Sequence, residues 1–122
     1  MATFTDRELD IIAVLWERGP STVAEVRDGL KDRLAYTTVL SLLRTMEEKG
    51  QVGHVEEGRA YRYHAAVDRE QARVGALERI TRKLFGGSAE TLLSHLVSDQ
   101  GLSEAELERM RRLLDERLGG GG

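Results

Sequence analysis

The sequence predicts a mainly α-helical chain in two parts, a small mixed domain followed by an all-helical one. Three observations carry that reading. Thr5-Asp6-Arg7-Glu8, Thr22-Val23-Ala24-Glu25 and Ser103-Glu104-Ala105-Glu106 each have the form of a capping box, in which a hydroxyl and a carboxylate satisfy backbone amides left open at a helix start. Apolar residues recur at helical spacing behind each of them. Between the second and third boxes, "QVGHVEEGRAYRYHA" changes to a period of two, the side-chain alternation of strands.

Behind Thr5, the residues Leu9, Ile12, Ala13 and Trp16 mark a first helix, which Ile11, Val14 and Leu15 widen until Gly19-Pro20 stops it. So wide an apolar surface requires burial on several sides. Val23, Val26 and Leu30 space a short second helix that runs to about residue 31. The third helix covers residues 36–49. Leu42, Leu43 and Met46 fall within about 60° of Val39 around its axis, whereas Thr37, Ser41, Arg44 and Glu48 fall on the opposite side. The strands that follow form a hairpin with its tip at Glu57-Gly58-Arg59, Arg62 and His64 nearby, and Tyr61 and Tyr63 on one face as core residues. Three helices and a two-stranded hairpin within about 65 residues describe a winged helix-turn-helix domain, residues 1–66.

From Val67 the helical period returns. Val74, Leu77 and Leu84 mark one helix, which Phe85-Gly86-Gly87 interrupts. Ser88 caps the next, with Leu92, Leu93, Leu96 and Val97, and the last carries Leu107, Met110, Leu114 and Leu118. These faces have too few partners in their own chain. They imply a homodimer joined through residues 67–118, with Leu77, Leu84, Leu92, Leu96, Leu107, Met110 and Leu114 at the interface. The glycines at 119–122 are expected to form a disordered tail.

Composition limits the function classes. A length of 122 residues accommodates one domain or one with an appendage, and 40% hydrophobic against 32% charged residues is a globular balance rather than a disordered one. The absence of cysteine excludes disulfides, thiol catalysis and thiolate metal sites. No apolar run is long enough to span a bilayer and "MATFTDRELD" is not a signal sequence, so the expected location is cytoplasmic without membrane insertion. His54, His64 and His95 have no metal-site spacing, and no phosphate loop, His-Glu-x-x-His element or nucleophile elbow occurs. The chain reads as a protein without metal or cofactor that is not an enzyme.

The third helix has the chemistry of a DNA reader. Threonine and serine hydroxyls bond to bases or phosphates, threonine methyls pack on thymine, and arginine bridges the guanine acceptors. Tyr36, Thr37, Thr38, Ser41, Arg44 and Thr45 are therefore the candidate contacts to double-stranded DNA, with Arg59 and Arg62 of the hairpin as candidate phosphate ligands. The formal charge of −3 speaks against a broad basic footprint. Residues 1–66 carry 9 Lys and Arg against 11 Asp and Glu, so any DNA face arises from segregation of charge. Two alternatives stand beside it: a winged-helix protein-interaction module that never touches DNA, and a small-molecule-responsive winged-helix regulator.

The segments "TDRELDIIAVLWERGPSTVAEV", "LAYTTVLSLLRTMEEKG", "GRAYRYHA" and "LFGGSAETLLSHLV" with "LSEAELERMRRLL" resemble the penicillinase-repressor family, the BlaI/MecI/CopY group. The Ala-Tyr-Thr-Thr-Val run and the Leu-Phe-Gly-Gly junction are the most specific of these. The resemblance implies a dimeric repressor on a palindromic operator, with Thr37, Thr38, Ser41 and Arg44 on the recognition helix and Arg59 and Arg62 in the wing. It also implies release by a cut in the C-terminal domain or by dimer dissociation, with a membrane metalloprotease sensor as a further partner. Antibiotic-responsive members are cut at an Asn-Phe bond after the Gly-Gly junction, and here the matching pair is His95-Leu96, a departure. Copper-responsive members carry a C-terminal cysteine motif, which this chain lacks.

Overall fold

The computed structural model describes residues 4–119, which form six helices and three short strands. Thr5 caps α1 (Asp6–Arg18), accepting from the Glu8 amide while the Glu8 carboxylate accepts from the Thr5 amide. The same reciprocal pair between Thr22 and Glu25 opens α2 (Val23–Gly29). Both follow from sequence, because a capping box is satisfied within four residues. α3 (Tyr36–Glu48) then leads into β2 (Val52–Glu57) and β3 (Ala60–Ala65). The turn between these strands is Gly58-Arg59, with Gly58 at φ 63°, the left-handed conformation a two-residue hairpin turn requires.

The sheet has three strands rather than the two expected, in the order β1-β3-β2 and antiparallel throughout. β1 is only Ser21–Thr22, paired with Tyr63 and Arg62. Its cause is the cap: Thr22 must be extended to receive the Glu25 amide, at φ −74° and ψ 167°, and that conformation also presents the backbone to β3. Two residues are too few to show a period of their own.

Ile11, Ile12 and Leu15 of α1, Val23 and Val26 of α2, and Val39, Leu43 and Met46 of α3 form one core with Val52 and Tyr63. The expected stripe on α3 is thus the buried one, with Leu42 packed at its margin. Tyr61 and Tyr63 part company: Tyr63 is 1% exposed and Tyr61 41%. They share a strand face, but Tyr61 lies closer to the tip, where the apolar helices no longer cover the sheet. Trp16 donates from Nε1 to the Val67 carbonyl at 2.9 Å, and the Arg69 guanidinium lies 5.5 Å from its ring centroid.

One charged pair enters this core. Glu8 is 2% exposed and accepts two bonds from Lys49 Nζ, at 2.9 and 2.8 Å. Burial pushes the Glu8 carboxyl up, but the Lys49 hydrogen bond and charge, with the Thr5 amide, outweigh it and hold the group below its ordinary value.

The remaining helices are α4 (Arg69–Leu84), α5 (Ala89–Asp99) and α6 (Glu104–Leu118). The chain divides into one compact unit reaching Leu77 and a second from Glu78, so the division falls within α4. Gly86 and Gly87 both have positive φ, and the Gly87 amide turns back onto the Thr81 carbonyl at 2.9 Å, which ends α4. Ser88 accepts from the Thr91 amide to start α5, and Ser103 and Glu106 complete the third capping box at α6. No residue of α5 or α6 is buried, and Leu84 and Leu118 are 75% and 83% exposed. Gly119 belongs to the structure rather than to a disordered tail, since it caps α6 with its amide on the Asp115 carbonyl at 2.7 Å. Residues 120–122 of the expected tail lie outside the described residues. No helix among the described residues is long and apolar enough to cross a membrane.

Candidate nucleic-acid interface

Burial of Val39, Leu43 and Met46 turns the opposite side of α3 outward. Tyr36, Thr37, Thr38, Ser41, Arg44 and Thr45 are all exposed, so every predicted contact on this helix is accessible. α3 also begins differently from its neighbours. Its N-cap is Ala35, which supplies no side-chain acceptor, whereas hydroxyls cap α1, α2, α5 and α6. The Thr38 amide turns back onto the Ala35 carbonyl at 3.0 Å, which leaves the Tyr36 and Thr37 amides for an external acceptor, and the helix dipole favours an anion there.

The wing stands beside this helix. Arg44, Leu40 and Tyr36 of α3, Arg59, Ala60 and Tyr61 of the hairpin, and Thr22, Val23 and Ala24 at the start of α2 line one open cleft of about 430 Å³. Neither Arg44 nor Arg59 has a carboxylate partner within ion-pair distance among the described residues. Two guanidiniums therefore line one concave surface without a direct ion pair to either. The overall charge of −3 does not describe this patch.

Arg62 is held differently. Its Nε donates to Glu57 Oε2 at 2.6 Å, and Nη1 donates to Glu25 Oε1 at 3.0 Å and to the Pro20 carbonyl at 3.1 Å. The Glu57 carboxylate first, and Glu25 after it, push the guanidinium pKa up. The Thr22 amide, followed by Arg62 itself, holds Glu25 below the usual carboxylate value. Arg62 thus ties the strands of the wing to the start of α2.

Sequence reasoning missed a second tie. His54 Nδ1 lies 2.8 and 2.7 Å from the two carboxylate oxygens of Glu47 on α3. Its ring stacks on Tyr61 at 4.3 Å with an interplanar angle of 19°, and meets Tyr63 tilted at 5.5 Å. The available signal was the hairpin register, because a two-residue turn at Gly58-Arg59 places His54 opposite Tyr63.

The candidate dimer residues divide by exposure: Leu77, Leu84, Leu96, Leu107 and Leu114 are exposed in the single chain, and Leu92 and Met110 are half-buried. His95 and Leu96 both lie within α5, where His95 Nδ1 is 2.9 Å from Asp99 and its ring meets Phe85 edge-on at 5.4 Å.

Comparison with known proteins adds family information. The sequence model described as penicillinase repressor matches residues 4–116. The transcriptional regulator BlaI of Mycobacterium tuberculosis is 33% identical over 121 residues, covering 96% of this chain and 86% of that protein. The methicillin resistance regulatory protein MecI of Staphylococcus aureus is 16% identical over 112 residues, covering 90% and 91%. Among solved structures, monomeric BlaI of Bacillus licheniformis in complex with the blaP half-operator superposes with a TM-score of 0.50 at 25% identity, over 57% of this chain and 88% of that one. A MarR family protein of Bacillus stearothermophilus, at 22% identity and TM-score 0.53 over 98% of this chain and 76% of that one, shares the fold.

Proposed function

The chain belongs to the penicillinase repressor family, and from that premise we propose that it is a transcriptional repressor that binds a palindromic double-stranded operator as a homodimer. The observation that carries this reading is that Arg44 and Arg59 line one cleft, neither in an ion pair among the described residues, beside exposed hydroxyls on α3. The solved complex of a relative with a half-operator supports it. α3 lies in the major groove, Arg44 reads a base edge, the uncapped start of α3 takes a phosphate, and Arg59 reaches the backbone from the wing tip. Arg62 serves by holding the wing in place. Repression follows from occlusion of a promoter by the bound dimer.

The two arginines are expected to fail in different ways when removed. Arg44→Ala costs about 1–3 kcal/mol of operator binding and relaxes preference at one base pair of each half-site. Arg59→Ala weakens all sequences similarly and lowers the salt slope by about one for each phosphate left without its guanidinium. Titrations of both variants at several salt concentrations check this, and equal effects of the two on every sequence would remove the division of roles. Absence of any salt-sensitive DNA binding would leave a protein-interaction module instead.

Release occurs where the two chains are uncoupled. A cut between residues 88 and 100 separates α6 from the rest of the protomer, and a membrane metalloprotease sensor is the proposed agent. The matching bond, His95-Leu96, lies inside α5, so α5 must unwind before it enters an extended protease cleft. Intact-mass measurement from cells before and after exposure to a cell-wall antibiotic is expected to show a fragment ending within this segment. Full-length protein throughout induction would leave dimer dissociation as the route.

A further inference from the structure

Val52 and Tyr63 anchor the base of the wing in the core and Arg62 ties it to α2, and one further contact joins it directly to the proposed recognition helix. Glu47 lies in the last turn of α3, and the chain returns past it as β2 after Lys49-Gly50. His54 then meets both oxygens of the Glu47 carboxylate through Nδ1. On its other side the same ring stacks on Tyr61, which lines the cleft together with Arg44 and Arg59. The path from Glu47 through His54 therefore connects helix to wing and ends at Tyr61, in the cleft that carries the two arginines. His54 is half-buried, so water competes with this contact only in part.

We propose that Glu47 and His54 are positioning residues that dock the wing on α3, so that Arg59 and Arg44 engage the same duplex. This rests on the DNA-reading surface proposed above and goes beyond it by assigning a role to a carboxylate. Glu47 has the wrong charge for a DNA contact. On charge alone, its removal beside a phosphate backbone should tighten binding. A docking role requires the opposite sign, because an undocked wing no longer holds Arg59 at the backbone.

The test uses the full chain and a duplex selected by the wild-type protein, with Glu47→Ala, Glu47→Gln, His54→Phe and the double variant Glu47→Ala/Arg59→Ala. Glu47→Ala is expected to bind about threefold to tenfold more weakly, and its salt slope to fall by about one per half-site, as for Arg59→Ala. The double variant should bind little more weakly than Arg59→Ala, because both changes act through the same guanidinium at the same phosphate. Glu47→Gln keeps an acceptor for the imidazole and should restore most of the binding. His54→Phe keeps a ring against Tyr61 but has no bond to Glu47, and should behave as Glu47→Ala does. Base preference should be unchanged in all four. Unchanged or tighter binding by Glu47→Ala, or weaker binding with the wild-type salt slope, would overturn the docking role. A wild-type protein that selects no duplex would overturn the DNA-reading proposal itself.

Discussion

Replacing Leu107 and Leu114 with aspartate should convert the proposed homodimer to a monomer and weaken binding to a two-site operator by a factor of about 10² to 10⁴. The two leucines are seven residues apart on α6, hence on one face of the helix, and both are exposed in the single chain. α5 and α6 hold no buried residue and, although Leu92, Leu93 and Met110 are half-buried, Leu96, Leu107 and Leu114 stay exposed in the single chain. Covering this apolar surface contributes roughly 25 cal/mol per Å² before the costs of association, and a charge placed in such an interface removes that gain and adds a desolvation cost. The protomer should remain folded, because neither leucine contributes to the core of the winged helix. Each half-site is then bound alone, and the advantage of joining two recognition helices disappears. Sedimentation of the double variant, with operator titration alongside, checks both parts. An unchanged dimer would place the interface elsewhere.

The second large effect concerns folding. Lys49→Met should destabilise the winged helix by about 3 kcal/mol at neutral pH, the lower end for breaking a buried ion pair, because Lys49 itself is partly in water. The asymmetry of the pair sets the direction: Glu8 is 2% exposed and Lys49 39%. Without Lys49 the Glu8 carboxylate stays buried with only the Thr5 amide to satisfy it. Glu8→Gln should cost less, since the lysine can swing into solvent. In the wild-type protein the lowered carboxyl contributes stability that is fully present above the ordinary glutamate value of 4.5 and is lost as pH falls through the folded value below it. In Lys49→Met, burial dominates and raises the carboxyl, so protonation relieves the variant as pH falls. The gap between the two proteins should therefore narrow below about pH 5. Denaturant unfolding at matched protomer concentration, at pH 7 and pH 4, measures it, and a gap that widens on acidification would contradict the assignment.

What the sequence makes legible here is what short-range chemistry determines. The helix starts at Thr5, Thr22 and Ser103 are decided within four residues, and the α3 stripe of Val39, Leu43 and Met46 within three turns. The exposed hydroxyl face is simply the complement of that stripe. What is not legible depends on segments that meet only after folding. β1 exists because the extended cap at Thr22 finds β3, and Tyr61 and Tyr63 differ because the helices cover only one of them. Arg62 resembles Arg59 in sequence as a wing arginine, yet its partners Glu25 and Glu57 lie 37 and 5 residues away and reach it from two different elements. His54 requires the strand register, which a tip of three residues, Glu57-Gly58-Arg59, obscures. The family resemblance points to the right architecture but says nothing of these ties.

Selection of the full-length protein on a pool of random duplexes tests most directly whether α3 and the wing read DNA as a two-fold pair. The expected product is an enriched inverted repeat whose half-site centres lie about one helical turn, or a multiple of it, apart, bound by two chains, with the preference at one base pair of each half-site relaxed when Arg44 is replaced by alanine. No enrichment over the input pool, or an asymmetric single site bound by one chain, would contradict it.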